Sequence, residues 1–214
     1  MIGLYAIVLE APRALRDLAQ GARGEPLRTV PFDGFSALAG EAPPPLSVEA
    51  LRAHEAAVRR IAEVCEACLP ARFGAAAQDE EALRRELSGR AAEVQEALAL
   101  VRGREQMTLR VHGPGAPATP GGTASGTRYL EERRRARKLP ELDPLRALLA
   151  DLIRAERLER HSEPGLLASV YHLVDRGASA RYREAVEGAR LEGLRLALSG
   201  PWPAWSFAPE VAAP

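Results

Sequence analysis

Ile2-Gly3-Leu4-Tyr5-Ala6-Ile7-Val8-Leu9 is a short apolar run that meets Ala11-Pro12 almost at once. An apolar stretch of this length without polar alternation reads as a strand buried on both faces, and it opens a first domain. It has no basic leader and no cleavage site, so it is not read as a signal peptide. Working outward, short β-like pieces follow at Leu27–Val30 and Phe35–Ala39, and Pro43-Pro44-Pro45 marks a stiff exposed loop. Ser47 is then placed to cap a helix running to about Cys68. Leu51, Val58 and Cys65 form one row on that helix and His54, Ile61 and Cys68 the adjacent row, a single inward stripe. Leu69-Pro70-Ala71-Arg72-Phe73-Gly74 is an extended connection. One further helix is predicted from an Asp79 cap through Leu83, Leu87, Val94, Leu98 and Val101, with Gly103 as its stop.

A second domain begins with a strand at Met107–Val111. The segment Gly113–Gly126 has no charge and no large apolar side chain, so it cannot recover its ordering entropy and is expected to be mobile. Helical pattern resumes at Tyr129–Lys138 and again from Asp143-Pro144 through Leu145, Leu148, Leu149, Leu152 and Ile153, until Glu163-Pro164-Gly165 stops it. A β run over Leu167–Val174, a helix from Ser179 to about Glu192 and a strand at Leu194–Leu198 complete the order. This reads as α+β, with domains at residues 1–103 and 104–214, the second arranged as a split βαβ, ferredoxin-like layer in which one strand has no obvious place.

The chain closes on Gly200-Pro201-Trp202-Pro203-Ala204-Trp205-Ser206-Phe207, which holds both of its tryptophans. Two prolines in three positions remove backbone donors and fix φ, so the segment is expected to run extended. It is either a lid packed over the core or a rigid docking surface. Trp202 is expected to turn inward, and Trp205 and Phe207 to lie at a partner surface.

Composition narrows the function. The 214 residues balance 29 basic against 29 acidic side chains, so no global field favours nucleic acid or an anionic membrane as a partner. Every basic residue but Lys138 is Arg, a bias read as compositional. No apolar run approaches the ~20 residues of a membrane span, and a cytoplasmic location is expected. Cys65-Glu66-Ala67-Cys68 has the spacing of half a zinc site, but no second pair exists and both cysteines fall on the inward stripe, so they read as core. His54-Glu55 begins like a zinc protease motif, yet Val58 stands where the second His should be. His54, His112, His161 and His172 are scattered, the glycine pairs lack phosphate-loop spacing, and no nucleophile and base are paired, so neither catalytic residues nor a cofactor nor a metal is expected.

The strongest local field is Arg128, Arg133, Arg134, Arg135, Arg137 and Lys138 against Glu131 and Glu132. It reads as a solvated helix face or as a surface for an acidic protein partner; with only Tyr129 interleaved, it is poorly made for stacking bases.

Taken in order, these segments resemble the gas vesicle protein F/L family (GvpF/GvpL) over nearly the whole chain. The resemblance rests on Leu4-Tyr5-Ala6-Ile7-Val8, on His54-Glu55, and on Leu69-Pro70-Ala71-Arg72-Phe73-Gly74, which is similar to the family's LPxRFG. It continues through Gly103-Arg104-Glu105, Tyr129-Leu130, Val170-Tyr171-His172-Leu173-Val174, and Gly200-Pro201-Trp202-Pro203 with its aromatic-Ser-Phe end. Ala71 replaces the usual Met, Ala75 the usual Thr, Met107-Thr108 a Trp-Gly, and Ala204-Trp205 a Pro-Tyr. These swaps bear on local packing.

The resemblance implies two α+β domains, the second a modified ferredoxin-like fold with a long helical insertion. It implies a non-enzymatic minor component or assembly factor that binds the small hydrophobic shell protein and other accessory proteins, located in the gas vesicle and cytoplasmic before assembly. On this reading Arg133, Arg134, Arg137, Trp205 and Phe207 are candidate partner contacts, while Arg72, Phe73, Gly74, Pro201 and Trp202 are structural. The competing class is a small-molecule-sensing ferredoxin-like module, which a deep apolar pocket with convergent polar groups would favour.

Overall fold

The computed structural model of the chain describes residues 1–9, 20–113, 139–161 and 165–211. They form two compact units, Met1–Glu105 together with Trp202–Pro214, and Gln106–Pro201. The segment from Trp202 onward thus packs with the first unit, whereas the sequence division at 103/104 assigns it to the second.

In the first unit, β1 (Ile2–Val8) is buried at every residue. The cause is its central place: β3 (Phe35–Glu41) pairs along one side, and β4 (Cys68–Pro70) and β5 (Ala76–Ala77) along the other, all antiparallel. The sheet order is β2-β3-β1-β4, with β2 (Arg28–Phe32) at the edge. β2 and β3 form a hairpin in which Phe32 faces Phe35 across Asp33-Gly34, and Gly34 takes φ 78°, a left-handed conformation that glycine adopts without steric cost. The β1/β3 register slips between Leu4 and Ala6, a bulge at Tyr5.

Helix α1 (Val48–Val64) starts at Ser47, whose Oγ accepts from the Ala50 amide at 3.1 Å. Its buried face is His54, Ala57, Val58 and Ile61. The helix stops short of the expected Cys68: Cys65 is extended, and Cys68 belongs to β4, opposite Val8. Pairing with β1 satisfies the backbone of Cys68–Pro70 where another helical turn would leave the sheet edge open. Both cysteines are nonetheless buried, while Leu51, expected on the inward stripe, is exposed. The single helix expected after Asp79 is two, α2 (Glu80–Gly89) and α3 (Ala91–Val101), broken at Arg90, which sits at φ −120° and ψ 16°. The Asp79 cap is present, accepting from the Ala82 amide at 2.8 Å, and Gly103 closes α3 at φ 64°.

The second unit runs β6 (Arg104–His112), α4 (Asp143–Leu149), β7 (Ile153–Arg160), β8 (Leu166–Asp175), α5 (Ser179–Gly188) and β9 (Arg195–Trp202). The sheet order is β7-β8-β6-β9, a β-α-β-β-α-β arrangement of ferredoxin-like type. The strand missing from the sequence reading is β7. Ile153 to Arg160 continues the helical pattern of α4 in composition, but it pairs antiparallel with β8 from Ile153 opposite Val174 to Arg160 opposite Ala168. Met107, Leu109, Leu145, Leu149, Val170 and Tyr182 meet in one core. The expected mobile segment (from residue 114 on), the helix expected at Tyr129–Lys138 and the candidate contacts Arg133, Arg134 and Arg137 lie outside the described residues.

Candidate partner-binding surface

After Trp202 the chain does not stay extended. It turns through a 3-10 turn, Trp205–Phe207, with the Trp205 amide donating to the Pro203 carbonyl at 2.7 Å and the Phe207 amide to the Ala204 carbonyl at 3.0 Å. The turn lies against β4. The three aromatic residues of the end segment point differently. Trp202, half-buried, lies under the Arg59 guanidinium, 4.7 Å from Cζ to the ring centroid, a cation–π contact. Trp205 is also half-buried and packs on the apolar cluster that contains Tyr5, Val58, Ile61, Cys65 and Cys68. Phe207 is 2% exposed. The expectation that Phe207 forms a partner contact is therefore corrected: a ring withdrawn into the core of its own unit presents nothing to a partner. Its driving force is the water-excluded area gained where the 3-10 turn curls inward.

His54 organises the recess this segment covers. Its ring stacks on Tyr5 with centroids 4.9 Å apart, meets Phe73 edge-on at 5.6 Å and lies 6.3 Å from Trp205. Nε2 sits 2.8 Å from the Ala71 carbonyl, which can only accept, so Nε2 carries the proton. Burial pushes the imidazole pKa down, partly opposed by that hydrogen bond, so His54 is held neutral. Tyr5 donates from its hydroxyl to Glu25 Oε1 at 2.8 Å and accepts from the Ala22 amide at 2.7 Å; burial, ahead of the Glu25 contacts, pushes its pKa up to about 12.

Phe73 is half-buried at the rim of this recess and Arg72 is exposed. Arg72 Nη2 reaches Glu210 Oε1 at 2.9 Å, and Arg90 Nη1 donates to the Glu210 backbone carbonyl, so two cations hold the end of the segment. Gly74 takes φ 90°, which lets the Ala75 amide donate back to the Arg72 carbonyl at 3.0 Å. Pro201 is exposed, and the Gly200–Pro201 peptide bond is cis. The structure thus brings Trp205 and Phe73 onto His54, while on the same unit Trp202 meets Arg59 and Arg72 pairs with Glu210; the sequence reading had His54 on the inward stripe and among the residues of the family resemblance.

A second polar cluster lies in the other unit. His172, 2% exposed, has Nε2 2.9 Å from Glu156 Oε2 and Nδ1 2.6 Å from the Tyr182 hydroxyl. In the neutral ring Nε2–H donates to the carboxylate, leaving Nδ1 to accept from Tyr182. Arg146 completes the chain of contacts to Glu156 at 3.0 Å and to Asp143 at 2.8 Å. The hydrogen bond from His172, against the opposing effect of burial and with that from Arg146, holds the Glu156 carboxyl down at about 2. Burial and then the Glu156 charge push the Tyr182 phenol up. Among sequence signals only His172, within Val170–Val174, pointed here; Glu156 sat in the stretch read as helix. Among the described residues no group of His, Cys, Asp and Glu is placed to hold a metal ion, and no helix is long and apolar enough to cross a membrane.

The family model for gas vesicle synthesis protein GvpL/GvpF matches residues 2–209. The chain belongs to the GvpL/GvpF family. Gas vesicle protein L of Streptomyces sp. (strain CB03234) is 30% identical over an alignment of 246 residues, covering 96% of this chain and 91% of that protein. The crystal structure of gas vesicle protein GvpF from Microcystis aeruginosa superposes with a TM-score of 0.73 at 18% identity, covering 97% of this chain and 98% of that one. GvpF from Anabaena sp. PCC7120 gives 0.72 at 18% identity, covering 97% and 95%. These two structures share the α+β fold described above. Family membership ties the chain to gas vesicles, and two of the resemblance residues, Phe73 and Trp205, are the rings that meet His54.

Proposed function

We infer that this GvpL/GvpF family member is a non-enzymatic accessory protein of gas vesicle formation, binding the small hydrophobic shell protein and other accessory proteins as a minor component or assembly factor. The observation that carries this reading is the family match across residues 2–209. The His54 and His172 clusters fit it, because each is absorbed in packing: His54 is stacked among rings, and His172 is hydrogen-bonded between Tyr182 and Glu156. Trp205 remains a candidate contact through its accessible edge, and the basic residues Arg133, Arg134 and Arg137 are proposed as an electrostatic contact to an acidic accessory partner. The protein is proposed to act in the cytoplasm before assembly and at the vesicle afterwards. Co-expression of the tagged chain with the small shell protein, followed by affinity capture and washing at raised salt, tests the reading; shell protein should be retained on the folded chain.

A further inference from the structure

We propose that the outer edge of β7 (Ile153–Arg160) pairs with the same edge of a second copy of this chain, joining two sheets about a two-fold axis at Leu158. This is independent of shell-protein binding. β7 ends the sheet order β7-β8-β6-β9, so among the described residues no strand pairs along its far side. β2, β4 and β9, at the other sheet ends, each carry a proline, Pro31, Pro70 and Pro201, which has no N–H to extend a ladder. β7 has no proline.

The backbone pattern fixes what β7 offers on that side. Arg160 lies opposite Ala168, and one step further the His161 amide donates to the Leu167 carbonyl at 3.0 Å. Hydrogen-bonded pairs alternate along an antiparallel ladder, so Arg157 and Glu159 also bond to β8, while Glu156, Leu158 and Arg160 turn their N–H and C=O groups outward. Glu156 is an exposed residue whose side chain is only 29% exposed, so its backbone is the more accessible part.

The side chains then select the occupant. A two-fold antiparallel pair opposes residues of the same sheet face. Centred on Leu158, it sets Leu158 against Leu158, Glu156 against the second copy's Arg160, and Arg157 against its Glu159, with each ion pair made twice. Every charge meets its opposite, and the outward-turned residues face one another, so these pairs exchange both backbone bonds. A register centred on Arg157 opposes arginine to arginine, there and at Arg154 against Arg160; one centred on Glu156 or Glu159 opposes two carboxylates. Arg157 and Arg160 have contacts within the chain as well, and the pairing adds to these. A strand complementary to itself in a single register is matched by its own copy, whereas a partner of one charge sign would meet both signs along this edge.

Light scattering on the full chain over a range of concentrations reads the mass, and residue-resolved amide exchange reads the edge. Mass should rise from one chain to two with concentration, and exchange at the Glu156, Leu158 and Arg160 amides should slow in step. The exchange readout uses the unmodified chain, so it does not depend on any variant folding. Arg157→Glu and Glu159→Arg, each shown folded by circular dichroism, should each give single-chain mass. The two changes together restore opposite charges across the axis and should return the doubled mass. Single-chain mass of the parent at every concentration overturns the proposal, as does a doubled mass reached without slower exchange at these amides. A doubled mass that both single changes leave intact, or that the folded double variant fails to recover, overturns it too, and so does growth beyond two chains, because the closed pair leaves no β7 edge open.

Discussion

The indole of Trp205 lies 6.3 Å, centroid to centroid, from the imidazole of His54 at an interplanar angle of 43°. These residues stand far apart in the chain, and their meeting fixes where the end segment goes. Trp205 covers a neutral histidine that already stacks on Tyr5 and donates to Ala71, so the aromatic end is first of all a structural strap, with one edge of the half-buried indole left accessible.

The anchors of the strap should separate by stability. Phe207→Ala removes a fully buried ring and should lower stability by about 3–5 kcal/mol. Trp205→Ala, at a half-buried site, should lower it by about 2 kcal/mol. Urea midpoints read by circular dichroism check the order. An unchanged midpoint for Phe207→Ala would contradict the packing described.

Acid should destabilise the chain in two stages. His54 has a folded pKa depressed below its ordinary 6.5, so the unfolded chain binds the extra proton more readily and stability falls as pH drops below that value. Glu156 is depressed from 4.5 to about 2, so its contribution is complete above 4.5 and is lost between 4.5 and about 2. Denaturation midpoints against pH should show both slopes, with His54→Gln flattening the first and Glu156→Gln the second. A midpoint independent of pH from 7 to 5 would count against the neutral, buried histidine.

Much of the first unit was legible. The unalternating run at Ile2–Val8 read as a central strand, and Ser47, Asp79 and Gly103 marked helix ends that the structure keeps, because capping chemistry is local. The break at Arg90 follows Gly89, a helix-stop residue whose signal is outweighed in the sequence by Leu87 and Val94, which keep one heptad spacing across it. β7 was hidden for a related reason. Arg154, Glu156, Arg157 and Glu159 are ordinary helix formers, and their strand conformation comes from pairing with β8, which no local pattern encodes. The recess at His54 is likewise a product of distant contacts. Its members Tyr5, Phe73 and Trp205 were each visible as part of a resemblance, but the sequence held no sign that they converge.

Cys65 and Cys68 should behave as packing residues. Both are buried, one at the end of α1 and one in β4, so a thiol reagent should label them only as fast as the chain opens. The double Ala variant should lose about 1 kcal/mol per site and keep its fold, whereas Cys68→Ser should cost more by burying a hydroxyl. Rapid labelling of the native chain, or stoichiometric zinc after purification, would contradict this.

The central claim is that the chain acts by binding the gas vesicle shell protein. Quantitative capture of that protein by the full chain, beside Trp205→Ala shown by circular dichroism to be folded, tests it most directly. The account predicts saturable capture by the parent chain, weakened by about 2 kcal/mol in Trp205→Ala if the indole edge is a hot spot. Absence of capture by a folded parent chain would contradict the account.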